Sequence, residues 1–191
     1  MKNKKLQTLC VCAMMVALST ALSFVKVKFL PFGGSITLLS MLPVAAVSIM
    51  YGTKQGLFSA FLYSCIQLIF GITQDGLLGW GLTAGMLTAC IILDYIGAFT
   101  VIGLAGVFRK NGMTGIMGGT ILAVGLRFIC HILSGVYVFA SAGKLWEGFE
   151  TNNTWLYSFV YNATYMLPEI ILTAIGAFFV YKALDKVISK I

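Results

Sequence analysis

Four ionisable side chains interrupt otherwise apolar runs of this sequence: Asp94, Arg127, His131 and Glu169. A charge at membrane depth is costly, so each such residue calls for a binding, proton-handling or pairing role. Arg127 and His131 are spaced i, i+4 and share one helix face. The structural role expected of Arg127 is an ion pair with Asp94 or Glu169. His131 reads equally as a hydrogen-bonded packing residue or as part of a site. Glu169 follows Pro168, where a helix is expected to break and a carboxylate can satisfy freed backbone donors. Asp94 precedes Tyr95, and a carboxylate beside a ring offers a cation both Coulomb pairing and cation–π contact. Further on, Tyr157, Tyr161 and Tyr165 repeat at i, i+4, i+8 with Asn162 beside them. Such stripes usually pack a core or form an interface belt. This one carries hydroxyls and an amide, which need partners when buried. Together with Asp94 and His131 it suits a flat, polar-edged heteroaromatic cation. A competing use of Asp94, His131 and Glu169 is the proton relay of an ion-coupled secondary transporter, although the internal repeats of many such folds are missing.

The elements that must carry these residues follow from composition. Of 191 residues, 59% are hydrophobic and 10% charged, with a mean hydropathy of +0.95. Soluble domains run to about 45–50% apolar and about 25% charged. With about 20 apolar residues needed per crossing, the length accommodates about six. Six apolar segments emerge at 6–25, 36–51, 55–72, 84–108, 114–140 and 154–183. The expectation is one all-α transmembrane domain over 1–191. The second segment is short and carries Pro43, so an irregular start is expected there. Turn chemistry separates the segments, at Pro31-Phe32-Gly33-Gly34, Tyr51-Gly52-Thr53-Lys54, Gln74-Asp75-Gly76, Arg109-Lys110-Asn111-Gly112 and Glu150-Thr151-Asn152-Asn153. The first run has a basic start without a cleavage site before soluble sequence and reads as a retained helix. With a cytoplasmic N-terminus, nine Lys/Arg fall inside (among them Lys54, Arg109, Lys110 and Lys190) and three outside (Lys26, Lys28, Lys144). That asymmetry predicts six spans with both termini inside. Trp80, Trp146 and Trp155 then gather near the outer interface, where an aromatic belt is the plain reading.

The net charge of +7 forms no basic stripe, so lipid rather than nucleic acid is the expected surroundings. The five cysteines lie in or beside apolar runs and show no zinc or disulfide spacing. There is no phosphate-binding Gly-Lys-Ser/Thr loop, no nucleophile elbow and only one histidine. No catalytic residue, metal or cofactor is expected, and uphill transport would need a partner or an ion gradient. Ala13, Ala17 and Ala21 form a small-residue ridge, suited either to packing within the chain or to a partner membrane protein.

These residues carry a family resemblance. The matching stretches are Phe32-Gly33-Gly34-Ser35-Ile36-Thr37, Ser40-Met41-Leu42-Pro43, Tyr51-Gly52, Leu93-Asp94-Tyr95-Ile96-Gly97-Ala98-Phe99 and Gly103-Leu104-Ala105-Gly106-Val107-Phe108. More specific are Arg127-Phe128-Ile129-Cys130-His131-Ile132-Leu133-Ser134-Gly135-Val136, Tyr157-Ser158-Phe159-Val160-Tyr161-Asn162 and Tyr165-Met166-Leu167-Pro168-Glu169. In this order they resemble the substrate-binding S components of energy-coupling-factor vitamin transporters, most closely the thiamine-specific kind. The resemblance implies a six-helix protein of the bacterial plasma membrane that has no ATPase of its own. It would capture thiamine in an outward pocket roofed by the loop between the first two helices. Delivery would follow association with a transmembrane coupling protein and two ATPases, by toppling in the membrane. The family's acidic position falls on Asp94, its neighbouring ring on Tyr95, its histidine on His131, its late Tyr and Asn on Tyr157 and Asn162. Its third-helix aromatic falls on Tyr63, and its docking surface on Ala13, Ala17 and Ala21. Two positions depart: Phe139 stands where some members stack a tryptophan, and Gly34 where some carry a first-loop tryptophan. Trp80 and Trp146 are candidate replacement rings, and Arg127 is assigned to a supporting ion pair, because a free cation would oppose a thiazolium. An S component for a related heteroaromatic vitamin or precursor is the alternative.

Overall fold

Helix α1 (Lys2–Ser23) opens the chain, and its buried residues Cys12, Val16, Ser19 and Ser23 recur at helical spacing. This face packs inward. Ala13, Ala17 and Ala21 lie exposed on the other side, so the alanine ridge is not an intramolecular packing surface. The computed structural model describes residues 2–29 and 34–188. Pro31, Phe32 and Gly33 of the first turn and the C-terminal Lys190 lie outside the described residues.

A two-stranded antiparallel hairpin follows, β1 (Lys26–Phe29) and β2 (Ser35–Thr37). The second apolar segment therefore begins as strand and turn. Its helix, α2 (Leu42–Tyr51), has Pro43 in the first turn, the position where a missing N–H costs least. Its 10 residues rise about 15 Å, roughly half a hydrocarbon core. Every residue from Pro43 to Met50 is buried, which makes α2 a central helix wrapped by the others.

Helix α3 (Thr53–Thr73) leads through a short helical turn at Leu77–Gly79 to α4 (Ala84–Leu104). The middle of α4, Ile91–Gly97, is wound as a wider π turn. Helix α5 (Gly112–Ser134) continues into a second such turn, Gly135–Phe139. A second hairpin, β3 (Gly143–Trp146) and β4 (Phe149–Thr151), precedes α6 (Thr154–Ile188). Pro168 sits inside α6 without ending it, contrary to the expected break. Within apolar surroundings, neighbouring helices and local adjustment tolerate the one lost N–H.

Five of these helices are long and apolar enough to cross a membrane, α2 being the short apolar sixth. The surface is correspondingly inverted: Phe58, Ile92 and Phe179 are exposed, while Ser48, Ser59, Thr120 and Thr173 are buried. Close helix approach is built on small residues. Ser48 Oγ donates to Gly103 O at 2.5 Å and accepts from the Gly106 N–H at 2.9 Å. A Cβ on Gly103 would lie on the backbone of Gly56 and Leu57. At the α2–α3 turn, Arg109 Nη1 donates to Met50 O at 2.9 Å. Both hairpins and the 74–83 linker gather at the other end, around a cavity.

Candidate functional site

The cavity holds about 360 Å³, within the range of about 300–1,000 Å³ typical of small-molecule sites. The β1–β2 hairpin forms one wall, with Lys26, Gly34 and Thr37 lining it. All nine side chains assigned from sequence to substrate line this one space: Tyr63, Trp80, Asp94, Tyr95, His131, Phe139, Trp146, Tyr157 and Asn162. They come from α3, the linker, α4, α5, β3 and α6. Both π turns abut it, one carrying Asp94 and Tyr95, the other ending at Phe139. Such turns disturb the regular helical ladder and recur at functional sites.

Asp94 is the hub. Its Oδ1 lies 2.7 Å from His131 Nδ1. Its Oδ2 accepts from the Ser134 hydroxyl and from the Cys90 thiol at 3.3 Å. Cys90 is four residues before Asp94, and Ser134 three after His131, so helical spacing puts each on its neighbour's face. Arg127 corrects the sequence reading: among the described residues it makes no ion pair with Asp94 or Glu169. Its Nε donates to His131 Nε2 at 3.2 Å, its Nη1 reaches the Met41 sulfur, and its guanidinium lies 4.2 Å from the Phe99 ring centroid. The cation is thus held by an imidazole, a thioether and a ring face. Sequence could not show this, because Met41 and Phe99 are brought beside Arg127 only by the packing of α2, α4 and α5.

Glu169 belongs to a different cluster. Its Oε1 accepts from the Thr37 N–H at 2.6 Å and the Thr37 hydroxyl at 2.7 Å, and Thr37 Oγ1 also pairs with Ser40 Oγ at 2.6 Å. The carboxylate, 1% exposed, ties the hairpin wall to α6. Its structural role is as expected, but the donors it satisfies are the hairpin's rather than those of a broken helix.

The rings divide in the same way. Trp80 and Phe139 meet with centroids 5.9 Å apart, and Trp80 Nε1 donates to Asp75 O at 3.0 Å. The Asp75 carboxylate in turn pairs with Lys26 at 3.5 Å. Tyr63 is fully buried, edge-on to Phe99 at 5.5 Å. Tyr95 packs so tightly on α3 that its ring occupies the space of a Cβ on Gly71. Trp146, half exposed at the rim, stacks at a tilt on Phe149. Trp155 does not line the cavity; it is exposed and meets Tyr137 edge-on at 5.8 Å. Asn162 laces the wall together: Nδ2 donates to Ser158 O at 2.8 Å and His131 O at 3.3 Å, and Oδ1 accepts from Tyr165 OH at 2.5 Å. Tyr161 and Tyr165 line the cavity with Tyr157, so the whole tyrosine stripe faces it.

Sequence reasoning left Lys26, Gln67, Phe99, Ser134 and Lys144 out of the site, although all but Ser134 line the cavity and Ser134 touches Asp94. Gln67 had a usable signal, being one turn beyond Tyr63 on α3. The lysines had none. A carboxylate hub among aromatic faces, with donors and acceptors around the rim, can hold a flat cation.

Comparison with known proteins adds family and fold. Residues 9–189 match the family model described as Thiamine transporter protein. The curated thiamine transporter ThiT of Bacillus subtilis (strain 168) is 33% identical over 190 residues, spanning 91% of this chain and 90% of that protein. A solved structure of ThiT from Listeria monocytogenes superposes with a TM-score of 0.72 at 24% identity, covering 97% of this chain and 99% of that one. That structure supports the fold.

Proposed function

The chain belongs to the thiamine transporter protein family, a multi-pass, non-enzymatic membrane family, and on that premise we propose that it is the thiamine-binding S component of an energy-coupling-factor importer. The observation that carries this reading is the Asp94 carboxylate lining a cavity together with Tyr95, Trp80, Phe139 and Trp146. A thiazolium gains Coulomb attraction from the carboxylate and cation–π contact from the rings. The aminopyrimidine edge suits the hydroxyl-bearing stripe Tyr157, Tyr161 and Tyr165. Phe139 and Trp80 supply the stacking surface. The relative from Bacillus subtilis is named a thiamine transporter, in keeping with this ligand.

The membrane orientation proposed has both termini inside, which puts the two hairpins and the cavity mouth on the outer side, in line with the distribution of Lys and Arg. The exposed ridge Ala13, Ala17 and Ala21 is the docking face for the coupling protein, which works with two ATPases. Titration of purified protein by tryptophan fluorescence tests the ligand, using thiamine, its phosphate esters and riboflavin. A saturable response to micromolar thiamine is expected; none would overturn the assignment. Uptake of labelled thiamine should require co-expression of an ATPase module, and uptake driven by a proton gradient without one would sink the coupling mechanism.

A further inference from the structure

We propose that Arg127 is a positioning residue that locks His131 as its Nδ1–H tautomer, so that the imidazole serves Asp94 and leaves that carboxylate an anion for the cavity. The ring nitrogens decide it. A guanidinium has donors only and stays charged. Its Nε–H lies 3.2 Å from His131 Nε2, so Nε2 must present a lone pair. The imidazole proton is then on Nδ1, 2.7 Å from Asp94 Oδ1. In the opposite tautomer two N–H groups would face each other at Nε2, and two lone pairs would face each other at Nδ1; both hydrogen bonds would be lost at once. Which nitrogen of a histidine carries the proton is set by what the other one meets.

Arg127 is itself held for this task. It is buried, and Phe99 and Met41 take the rest of its guanidinium. Among the described residues no carboxylate lies within ion-pair distance to draw its Nε away. The ionisable groups that face His131 are Arg127 on its own helix, Asp94 on α4 and Tyr165 on α6, the last edge-on at 6.0 Å. With Ser134 and Cys90 on Oδ2, three donors converge on a group with about four lone-pair sites. These donors orient the Asp94 carboxylate and leave it acceptor capacity for a ligand. Both nitrogens of His131 are spent on protein partners, so its contribution to a ligand is its ring face, not a hydrogen bond. The consequence for binding rests on the thiamine reading above; the lock itself does not.

Because the chain has a single histidine, labelling with ring-¹⁵N histidine gives an unambiguous spectrum of ligand-free protein in detergent. A two-bond ¹⁵N–¹H correlation near neutral pH should show a protonated Nδ1 and a bare Nε2. In Arg127→Met, Asp94 still holds the Nδ1 proton but nothing keeps Nε2 bare, so the pattern should move toward a ring protonated on both nitrogens, with thiamine binding weaker by roughly tenfold, the scale of one charged hydrogen bond. An Nε2–H or doubly protonated ring in the unaltered protein would overturn the lock, as would an unchanged pattern in folded Arg127→Met. If the variant fails to fold, the spectrum of the unaltered protein decides alone. An Nδ1–H spectrum from protein that ignores thiamine would sink the vitamin assignment and leave the lock standing. Thiamine binding by protein with an Nε2–H ring would do the reverse.

Discussion

Asp94→Asn keeps the shape of the hub and removes its charge. In the structure the carboxylate lines the cavity and accepts three donors, from His131, Ser134 and Cys90. An asparagine oxygen can keep the His131 bond, and the Ser134 hydroxyl can rotate to accept from the new NH₂. The loss therefore falls mainly on Coulomb attraction to the ligand. For a thiazolium seated about 5 Å away at an effective dielectric constant of about 20, that attraction is about 3 kcal/mol. Converted to affinity, it is roughly two orders of magnitude in Kd. Cation–π contact with the surrounding rings, about 0.5–2 kcal/mol, survives, so binding should weaken by about 100-fold and not vanish. Trp80 and Trp146 line the cavity and make tryptophan fluorescence the direct assay, with a thermal melt run beside it to confirm the fold. A Kd within about threefold of the unaltered protein, in a variant that melts normally, would refute the claim that Asp94 provides the charge that holds the ligand.

Other perturbations separate the wall, the rings and the packing. Glu169→Ala removes the acceptor of both Thr37 donors, each charged hydrogen bond being worth about 1.5–3 kcal/mol; it should lower the melting temperature and speed hydrogen exchange at Thr37. Glu169→Gln retains an acceptor oxygen and should do less, so equal effects would contradict the assigned contact. Phe139→Trp enlarges the ring face that meets Trp80 and should tighten thiamine binding several-fold in the same titration; unchanged affinity would remove Phe139 from the ligand's surroundings. Gly103→Ala puts a Cβ 2.6 Å from the Gly56 carbonyl carbon, where backbone must yield, and should cost about 1–3 kcal/mol or more of stability. Gly118→Ala, with open space around its Cβ, should be neutral or stabilise by up to about 1 kcal/mol; matching melts for the two alanines would disprove the close α3–α4 contact.

The division between what was legible and what was not runs along the range of the interactions. Apolar runs and their charged flanks are local signals, and they located all six helical segments to within a few residues, apart from the strand-led start of the second. A polar side chain in such a run is also a local anomaly, which marked Asp94 with Tyr95, His131, Tyr157 and Asn162; Tyr63, Trp80, Phe139 and Trp146 came only with the family resemblance, and all nine are found around one cavity. The two hairpins were missed because their short strands sit in loops, where pairing rather than composition makes the structure. The π turns at Ile91–Gly97 and Gly135–Phe139 leave no mark in the hydropathy pattern, since one wider turn barely changes which residues are apolar.

Arg127 shows the limit most plainly. From the sequence alone, a buried cation demanded a carboxylate, and two stood within reach of the argument. Tertiary packing instead set Met41, Phe99 and His131 around it, and Thr37 claimed Glu169 from 132 positions away. By itself the sequence determined that this is a membrane protein and which residues are too polar to face lipid, because transfer from water to hydrocarbon is a property of each side chain and its neighbours in the chain. Only the tertiary structure decided who partners whom, because a hydrogen bond acts over about 3 Å and helices distant in sequence must first be packed together for that distance to be met.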